Sequence, residues 1–181
     1  MKKKSRITIR PARKNDIDDC LQLDHSLDSE YVWQMQHREE GERTQISFQT
    51  LRLPRPICVE YPRSIEALRI DLEPLDGVLI AEAEDIMLGY AQVALTQSDR
   101  SAWVRNLVVD VPVRRHRIGH LLLDGARRWA VMHHANHITL ETTTRSYPAI
   151  RFMLSQGMMF CGFNDRYYTS QDIAIFFGQN I

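Results

Sequence analysis

A chain of 181 residues has the size of one ordinary domain, and with 44% hydrophobic and 25% charged residues, 8 Gly and 7 Pro it is neither disordered nor fibrous. Its 23 Lys plus Arg cancel its 23 Asp plus Glu, so no net field draws it to nucleic acid or to a membrane surface, and electrostatic recognition must be local. The positive charge is 19 Arg against 4 Lys, three of them Lys2, Lys3 and Lys4, which favours bidentate contacts to phosphate or carboxylate. Cys20, Cys58 and Cys161 show no paired spacing, which disfavours a disulfide framework and a structural zinc site and fits a reducing, cytoplasmic setting. Residues 1–6 are basic but run into Ile7-Thr8-Ile9-Arg10 without an apolar stretch of signal-peptide length, and the longest apolar runs, such as 173–177, are strand-sized. The expectation is a protein with neither a standard secretory signal nor a membrane span.

Ile7 and Ile9 alternate with polar residues as a short strand, and Asn15, with Asp18 three residues on, offers an N-cap to a helix marked by Ile17, Cys20 and Leu21. From Tyr31 the period is two. Tyr31, Trp33 and Met35 share one face, Glu40-Gly41 offers a turn, and Ile46 and Phe48 share a face on the return, which predicts a hairpin. It is read as an insertion at about 28–62 within a single domain spanning 1–181. Leu53-Pro54-Arg55-Pro56 must be extended or irregular, and Ser64 can cap a short helix through Leu68. Strand-length segments at 77–83, 88–95 and 103–109, the last after a polar break at 97–100, make an antiparallel meander. Ile118, Leu122, Ala126 and Trp129, with Leu121 and Ala130 beside them, mark a long amphipathic helix that fades at His133-His134 and stops near Asn136. A strand at 138–142, a helix from about 148 to 156 ending at Gly157, and strands around 158–168 and 173–177 follow. The order predicts an α+β fold: a mixed, mostly antiparallel sheet flanked by helices, with a helical crossover after Val109.

The most informative stretch is Leu107-Val108-Val109-Asp110-Val111-Pro112-Val113-Arg114-Arg115-His116-Arg117-Ile118-Gly119-His120. A buried strand runs through a short loop into the N-terminus of a long helix, where free backbone N–H groups and the positive end of the helix dipole favour an anion. Arg114, Arg115 and Arg117 crowd that same end without an acidic residue, against the dipole, and a phosphate-bearing ligand would resolve the conflict. Gly119 allows close approach to the first turn. An exposed arginine-rich turn that merely solubilises the protein is the alternative, and the charges alone leave both open.

This stretch resembles the GNAT superfamily of acetyl-coenzyme A-dependent N-acetyltransferases. Its signature, Arg or Gln, two residues, Gly, one residue, Gly or Ala, falls on Arg114, Arg115-His116, Arg117, Ile118 and Gly119, with Arg117 in place of the first Gly. The resemblance implies a pyrophosphate cradle at 114–120, His120 included, and a splayed strand whose Leu107, Val108 and Val109 pair with the pantetheine arm. A second segment, Leu140-Glu141-Thr142-Thr143-Thr144-Arg145-Ser146-Tyr147-Pro148-Ala149-Ile150-Arg151-Phe152-Met153, resembles the family's strand, Asn-x-x-Ala-Ile and helix pattern. Ser146 stands where Asn is common and is counted with the coenzyme contacts. Met153 stands where the family often carries the Tyr that protonates the departing thiolate. With Ile9-Arg10-Pro11-Ala12 and Asp16-Ile17 resembling the family's opening strand and helix, the likeness covers 7–27 and 77–177 and leaves 28–76 uncovered.

Acetyl transfer to an amine needs a neutral nucleophile, a polarised thioester carbonyl and a proton for sulfur. Backbone N–H groups at Val108 or Val109 can face the thioester oxygen where the strand diverges from its neighbour. For the base, Glu141 lies at a strand end in a Leu-Glu context that resembles the catalytic glutamate of the ribosomal-protein acetyltransferase branch; a solvated strand-end carboxylate is the bland alternative. Glu82, near Glu84 and Asp85, is a weaker candidate, more at home on a polar face near a turn. Tyr147 is the candidate acid, against an ordinary role packing at a helix start. His133, His134 and His137 do not share a helix face once Asn136 ends the helix, so no metal is expected. Cys161 reads as a small core residue, and Met158, Met159, Phe160, Tyr167 and Tyr168 as core and sheet packing.

The sequence therefore reads as an N-acetyltransferase that moves an acetyl group directly from acetyl-CoA to a primary amine of a small molecule or protein. The alternative is a non-catalytic acyl-CoA binding or sensing domain, which Met153 permits. A nucleic-acid module is disfavoured by the neutral charge and the absence of a second basic stripe, no membrane partner is expected, and the sequence allows a homodimer. The 31–48 hairpin, with Tyr31, Trp33, Glu30, Glu39 and Glu40, can form an acceptor wall for a cationic amine. Its Tyr-Val-Trp followed by Leu53-Pro54-Arg55-Pro56 resembles the antibiotic-modifying streptothricin acetyltransferase branch.

Overall fold

The computed structural model describes residues 6–96 and 100–181. In chain order its elements are β1 (Thr8–Pro11), α1 (Asp16–Gln22), β2 (Leu27–Glu40), β3 (Arg43–Val59), α2 (Ile65–Leu72), β4 (Val78–Ala83), β5 (Ile86–Thr96), β6 (Ser101–Val109), a 3-10 turn (Val111–Val113), α3 (Ile118–Met132), β7 (His137–Thr143), α4 (Tyr147–Ser155), β8 (Met159–Asn164) and β9 (Ala174–Asn180). The expected mixed α+β fold is present. Of the predicted break at 97–100, residues 97–99 lie outside the described residues. No helix of the described residues is long and apolar enough to cross a membrane. The chain divides into two units, one of Met1–His25, Arg63–Glu141 and Phe177–Ile181, the other of Ser26–Pro62 and Thr142–Phe176.

In the first unit, β1, β4, β5 and β6 are antiparallel neighbours and β7 lies parallel to β6, as a helical crossover requires. Within this unit the strands run in the order β1-β4-β5-β6-β7. Helix α3 makes that crossover. Ile118, Leu122, Ala126 and Ala130, four apart, are all buried, the first two with Ala81 and Ala91 in a core lined further by Ile9, Leu107 and Val109. Helix α2 buries Leu68 and Leu72, and the Ser64 hydroxyl accepts the Ala67 N–H at 3.2 Å as the expected cap. Asn15 does not cap α1: its backbone is already helical and its side chain makes no capping bond. The buried Asp16 carboxylate accepts the Arg13 N–H at 2.5 Å and two Arg10 bonds at 2.7 and 2.9 Å instead.

The second unit is built around the predicted hairpin, longer than its alternation suggested. Trp33↔Thr50, Met35↔Phe48 and His37↔Ile46 are facing pairs, so the apolar residues of both strands share one face, and Gly41 turns the chain with φ 60°. The register jumps from Ser29↔Ile57 to Tyr31↔Arg52, which sets Glu30 against the four residues 53–56. Pro54 and Pro56 have no N–H for the ladder, and the extra residues are absorbed where those donors are missing. On the apolar face Phe48 lies 5.8 Å from Trp33, 5.3 Å from Phe160 and 5.8 Å from Phe163, between ring centroids. The packing roles expected for the C-terminal strand hold for Met158 and Tyr168, which are buried, but Met159 is 71% exposed, and Phe160 and Tyr167 are partly open. Cys161 is exposed, not a core residue. The strand ends at Asn164, four residues short of Tyr168, and alternation puts Met159 and Cys161 together on its outward face.

Candidate active site

The site begins with one extra residue. Gln92 pairs with Asn106 and Val93 with Val104, so Arg105 is a bulge in β6, and β6 pairs with β7 only as far as Val104↔Leu140. A bulge bends its strand and increases the local twist, which is why the parallel pairing stops there. Beyond it, β5 holds one edge of β6 through Val109↔Gly89, and no strand covers the other edge among the described residues. The Asp110 N–H donates to the Leu88 carbonyl at 2.9 Å, so by alternation Val108 also faces β5 while Leu107 and Val109 turn their N–H and C=O to the open edge. Of the two donors weighed from sequence, Val109 is the one with an outward N–H. Gly89 is required opposite it: an added Cβ would stand 2.4 Å from the Val108 carbonyl oxygen.

Guanidinium groups close both ends of this edge. Arg63 donates to the Arg105 carbonyl at 3.1 Å, and Arg114 Nε donates to the Val109 carbonyl at 2.9 Å. Arg114 Nη2 also donates to the Asp24 carbonyl at 2.9 Å, so this arginine ties the loop to the body of the unit through main-chain carbonyls, with no carboxylate paired to it among the described residues. Arg115 and Arg117 are exposed and pair with no acid among the described residues. Both have left-handed backbones, each with φ 65°. Arg117 thus keeps at the signature position the conformation a glycine adopts without strain, at a cost of about 1–2 kcal/mol. It precedes α3, whose N-terminus has no side-chain cap and no acidic residue in its first turn. His116 Nδ1 folds back on the Arg114 carbonyl at 2.9 Å, and His120 lies 3.3 Å from Asp124. Ile118 is buried and anchors the first turn, with Gly119 beside it partly exposed.

Glu141, the first residue of β7 past the last pair, is neither solvated nor isolated: its side chain is 1% exposed and accepts a short bond from Arg63 Nη2. Arg63 also faces Asp71 at 4.0 Å, and Arg105 faces Asp71 at 3.6 Å. Asn106 donates to Gln92 Oε1 at 2.5 Å, and Gln92 Nε2 in turn donates to the Asp71 carbonyl. His25 Nδ1 lies 2.7 Å from the Leu23 carbonyl, which can only accept, so Nδ1 holds the proton and Nε2 accepts the Tyr90 hydroxyl at 3.0 Å. Burial pushes the His25 pKa down, favouring that neutral ring. None of Arg63, His25, Tyr90, Gln92 or Asn106 was singled out from sequence. Glu141 carried the only signal, because a carboxylate in a buried strand requires a cation from elsewhere.

The other predicted residues have definite surroundings. Ser146 and Tyr147 belong to the second unit. The buried Ser146 hydroxyl lies 3.1 Å from Thr143 Oγ1, and the Tyr147 ring is 5.2 Å from that of Tyr31. Met153 is a buried core residue. Glu82 is held by Arg10 at 2.7 Å. His133 stacks on Trp129 and His137 lies 3.2 Å from Asn180 Oδ1; no group of three or more metal-ligating side chains occurs among the described residues.

Solved structures share this architecture. Nourseothricin acetyltransferase matches with a TM-score of 0.80 at 20% identity over 96% of this chain and 98% of its own. A protein of Bacillus anthracis str. Ames, provisionally named streptothricin acetyltransferase and solved with acetyl coenzyme A, gives 0.77 at 19% identity over 98% of each chain. The ribosomal-protein-S18-alanine N-acetyltransferase of Escherichia coli gives 0.67 at 15% identity over 97% of this chain and 94% of its own. At these identities the likeness is one of fold. No curated protein matched the sequence. The model of the Acetyltransferase (GNAT) family, however, matches residues 30–158, taking in the stretch 28–76 that the motifs left uncovered from residue 30 onward. With well over half of its length matched by that model, the chain belongs to the GNAT acetyltransferase family.

Proposed function

We propose that the chain is an N-acetyltransferase that binds acetyl-CoA along the open edge of β6 and transfers the acetyl group directly to a primary amine. One observation carries the reading: the edge at Leu107 and Val109, closed at both ends by arginines, leads straight into a left-handed, arginine-bearing loop at an uncapped helix N-terminus. Backbone groups at Leu107 and Val109 fit an extended amide-bearing arm. The N-terminus of α3, with Arg115 and Arg117, fits a diphosphate, an anion that uses both the dipole and the unpaired guanidinium groups. When bound, acetyl-CoA supplies an activated acyl carbon. The Val109 N–H is the donor we assign to its carbonyl oxygen. Glu141 is the residue we assign to take the ammonium proton, directly or through water, and Tyr147 the one we assign, on its chemistry, to protonate the departing sulfur. We read the chain as one domain with the 28–62 hairpin as an insertion bordering the acceptor. The setting we assign is cytoplasmic, which three cysteines free of disulfides support.

Thiol release from acetyl-CoA is measured with nourseothricin, a peptide with N-terminal alanine and a lysine-bearing peptide as acceptors. The first two follow the names of the structures this fold is similar to. Arg115→Ala and Arg117→Ala should each weaken acetyl-CoA binding by about 1.5–3 kcal/mol, the range of a charge-assisted hydrogen bond. Wild-type affinity in both variants removes the cradle. Tight acetyl-CoA binding with no thiol release from any acceptor favours the non-catalytic binding domain, a reading the buried Met153 supports. Glu141→Gln should lose turnover near neutral pH and recover partly in alkali, where the amine loses its proton unaided.

A further inference from the structure

We infer that Arg63 is a positioning residue for acetyl transfer, acting through Glu141; the inference rests on the reading of Glu141 as the base. Arg63 comes from the turn before α2, outside every motif, yet one guanidinium reaches both sides of the fork. Its Nη1 holds the carbonyl of Arg105, the bulged residue where the open edge of β6 starts, and its Nη2 holds the carboxylate of Glu141, the first residue of β7 past the last pair. Asp71 faces the same guanidinium and restrains it from the α2 side. The two strands therefore separate around a planar, two-pronged group that serves a main-chain carbonyl on one side and a buried side-chain carboxylate on the other. A carboxylate 1% exposed needs such a partner to offset its burial, and the rigid fork fixes it at a constant offset from the strand that carries Leu107 and Val109. A lysine keeps the charge but, with one point of attachment, cannot span both acceptors in the same geometry.

The test is steady-state kinetics by thiol release from acetyl-CoA with the best acceptor of the panel above. Arg63→Lys should lower kcat at least tenfold and leave the KM for acetyl-CoA within twofold; wild-type kcat overturns the inference. In a Glu141→Gln background the same change should cost less than a further twofold, because the carboxylate it positions is already gone. A full tenfold loss there would place the action of Arg63 elsewhere and overturn the inference too. If Arg63→Lys does not fold, Glu141→Asp reads the same pair by withdrawing the carboxylate one methylene: at least a tenfold loss in kcat is expected, and wild-type kcat refutes it. Wild-type turnover in Glu141→Gln, or no thiol release with any acceptor, removes the base and this inference with it. Impaired Glu141→Gln beside intact Arg63→Lys leaves the base standing and removes only the positioning role.

Discussion

At the fork, β6 leaves its parallel neighbour after Val104 and side chains take over the backbone: Arg63 holds the Arg105 carbonyl and Arg114 the Val109 carbonyl. In the hairpin, β2 and β3 pair from Leu27↔Val59 to Glu40↔Arg43 with one break at the bulge, so the ladder satisfies itself and most of the side chains of β3 stand in solvent. The difference teaches where residue identity is constrained. Where a strand edge goes unpaired, particular side chains take the place of the ladder, and where the partner is buried, as Glu141 is, a substitution leaves a desolvated group behind. Where the ladder is complete, the side chains are left to packing and recognition, and a change is felt in proportion to the apolar surface lost.

The contrast breaks most easily at Gly89. A Cβ there meets the Val108 carbonyl oxygen at 2.4 Å, so Gly89→Ala should destabilise the protein by about 1–3 kcal/mol, as overpacking does, and should weaken acetyl-CoA binding by displacing the β6 edge. Urea denaturation and calorimetry read the two effects; an unperturbed Gly89→Ala would mean that the edge tolerates movement and that pairing there does not matter.

Next in size is Trp33→Ala on the hairpin. Its ring contacts to Phe48 and Phe160, each worth about 0.5–1.5 kcal/mol, should make the variant less stable by about 1–3 kcal/mol, with acetyl-CoA affinity unchanged. A shift in acceptor KM would mark this face as an acceptor wall, whereas a stability change with an unchanged acceptor panel would make it packing alone.

Arg117→Gly sharpens the comparison, because backbone and side chain pull in opposite directions. Releasing the left-handed strain should raise stability by about 1 kcal/mol while acetyl-CoA affinity falls with the lost guanidinium. A thermal melt that moves down, or an affinity that holds, contradicts the division of labour proposed for this residue.

The smallest expected effect is a two-stage loss of stability in acid. Burial depresses the His25 pKa, so the unfolded chain binds the proton more readily, and stability should fall as pH drops from about 6.5, the ordinary histidine value. Asp16 is held below the ordinary carboxylate range, first by its bonds from Arg10, so its contribution is complete above about 4 and is lost only at lower pH. Measured by chemical denaturation across pH, His25→Asn should remove the upper stage and keep the lower; both stages surviving would assign the upper one elsewhere.

Local periodicity was enough for much of this protein. The alternation of Tyr31, Trp33 and Met35 against Ile46 and Phe48, the helical spacing of Ile118, Leu122, Ala126 and Trp129 with Leu121 and Ala130 beside them, and the arginine-rich turn before α3 all report interactions between residues near in sequence or repeated at a fixed period. The exposed face of β8 was misread because alternation says that two faces differ but not which one finds a partner, and Met159 and Cys161 found none that buries them. Asn15 was misread as a cap because the Asp16 carboxylate, one residue on, takes the Arg13 N–H and two bonds from Arg10. Tertiary structure alone decided the fork. The bulge at Arg105 exists only relative to the register of β5, and the partner of Glu141 comes from Arg63, seventy-eight positions away, because a buried charge selects its counter-charge by proximity in space, on which spacing along the chain has no hold.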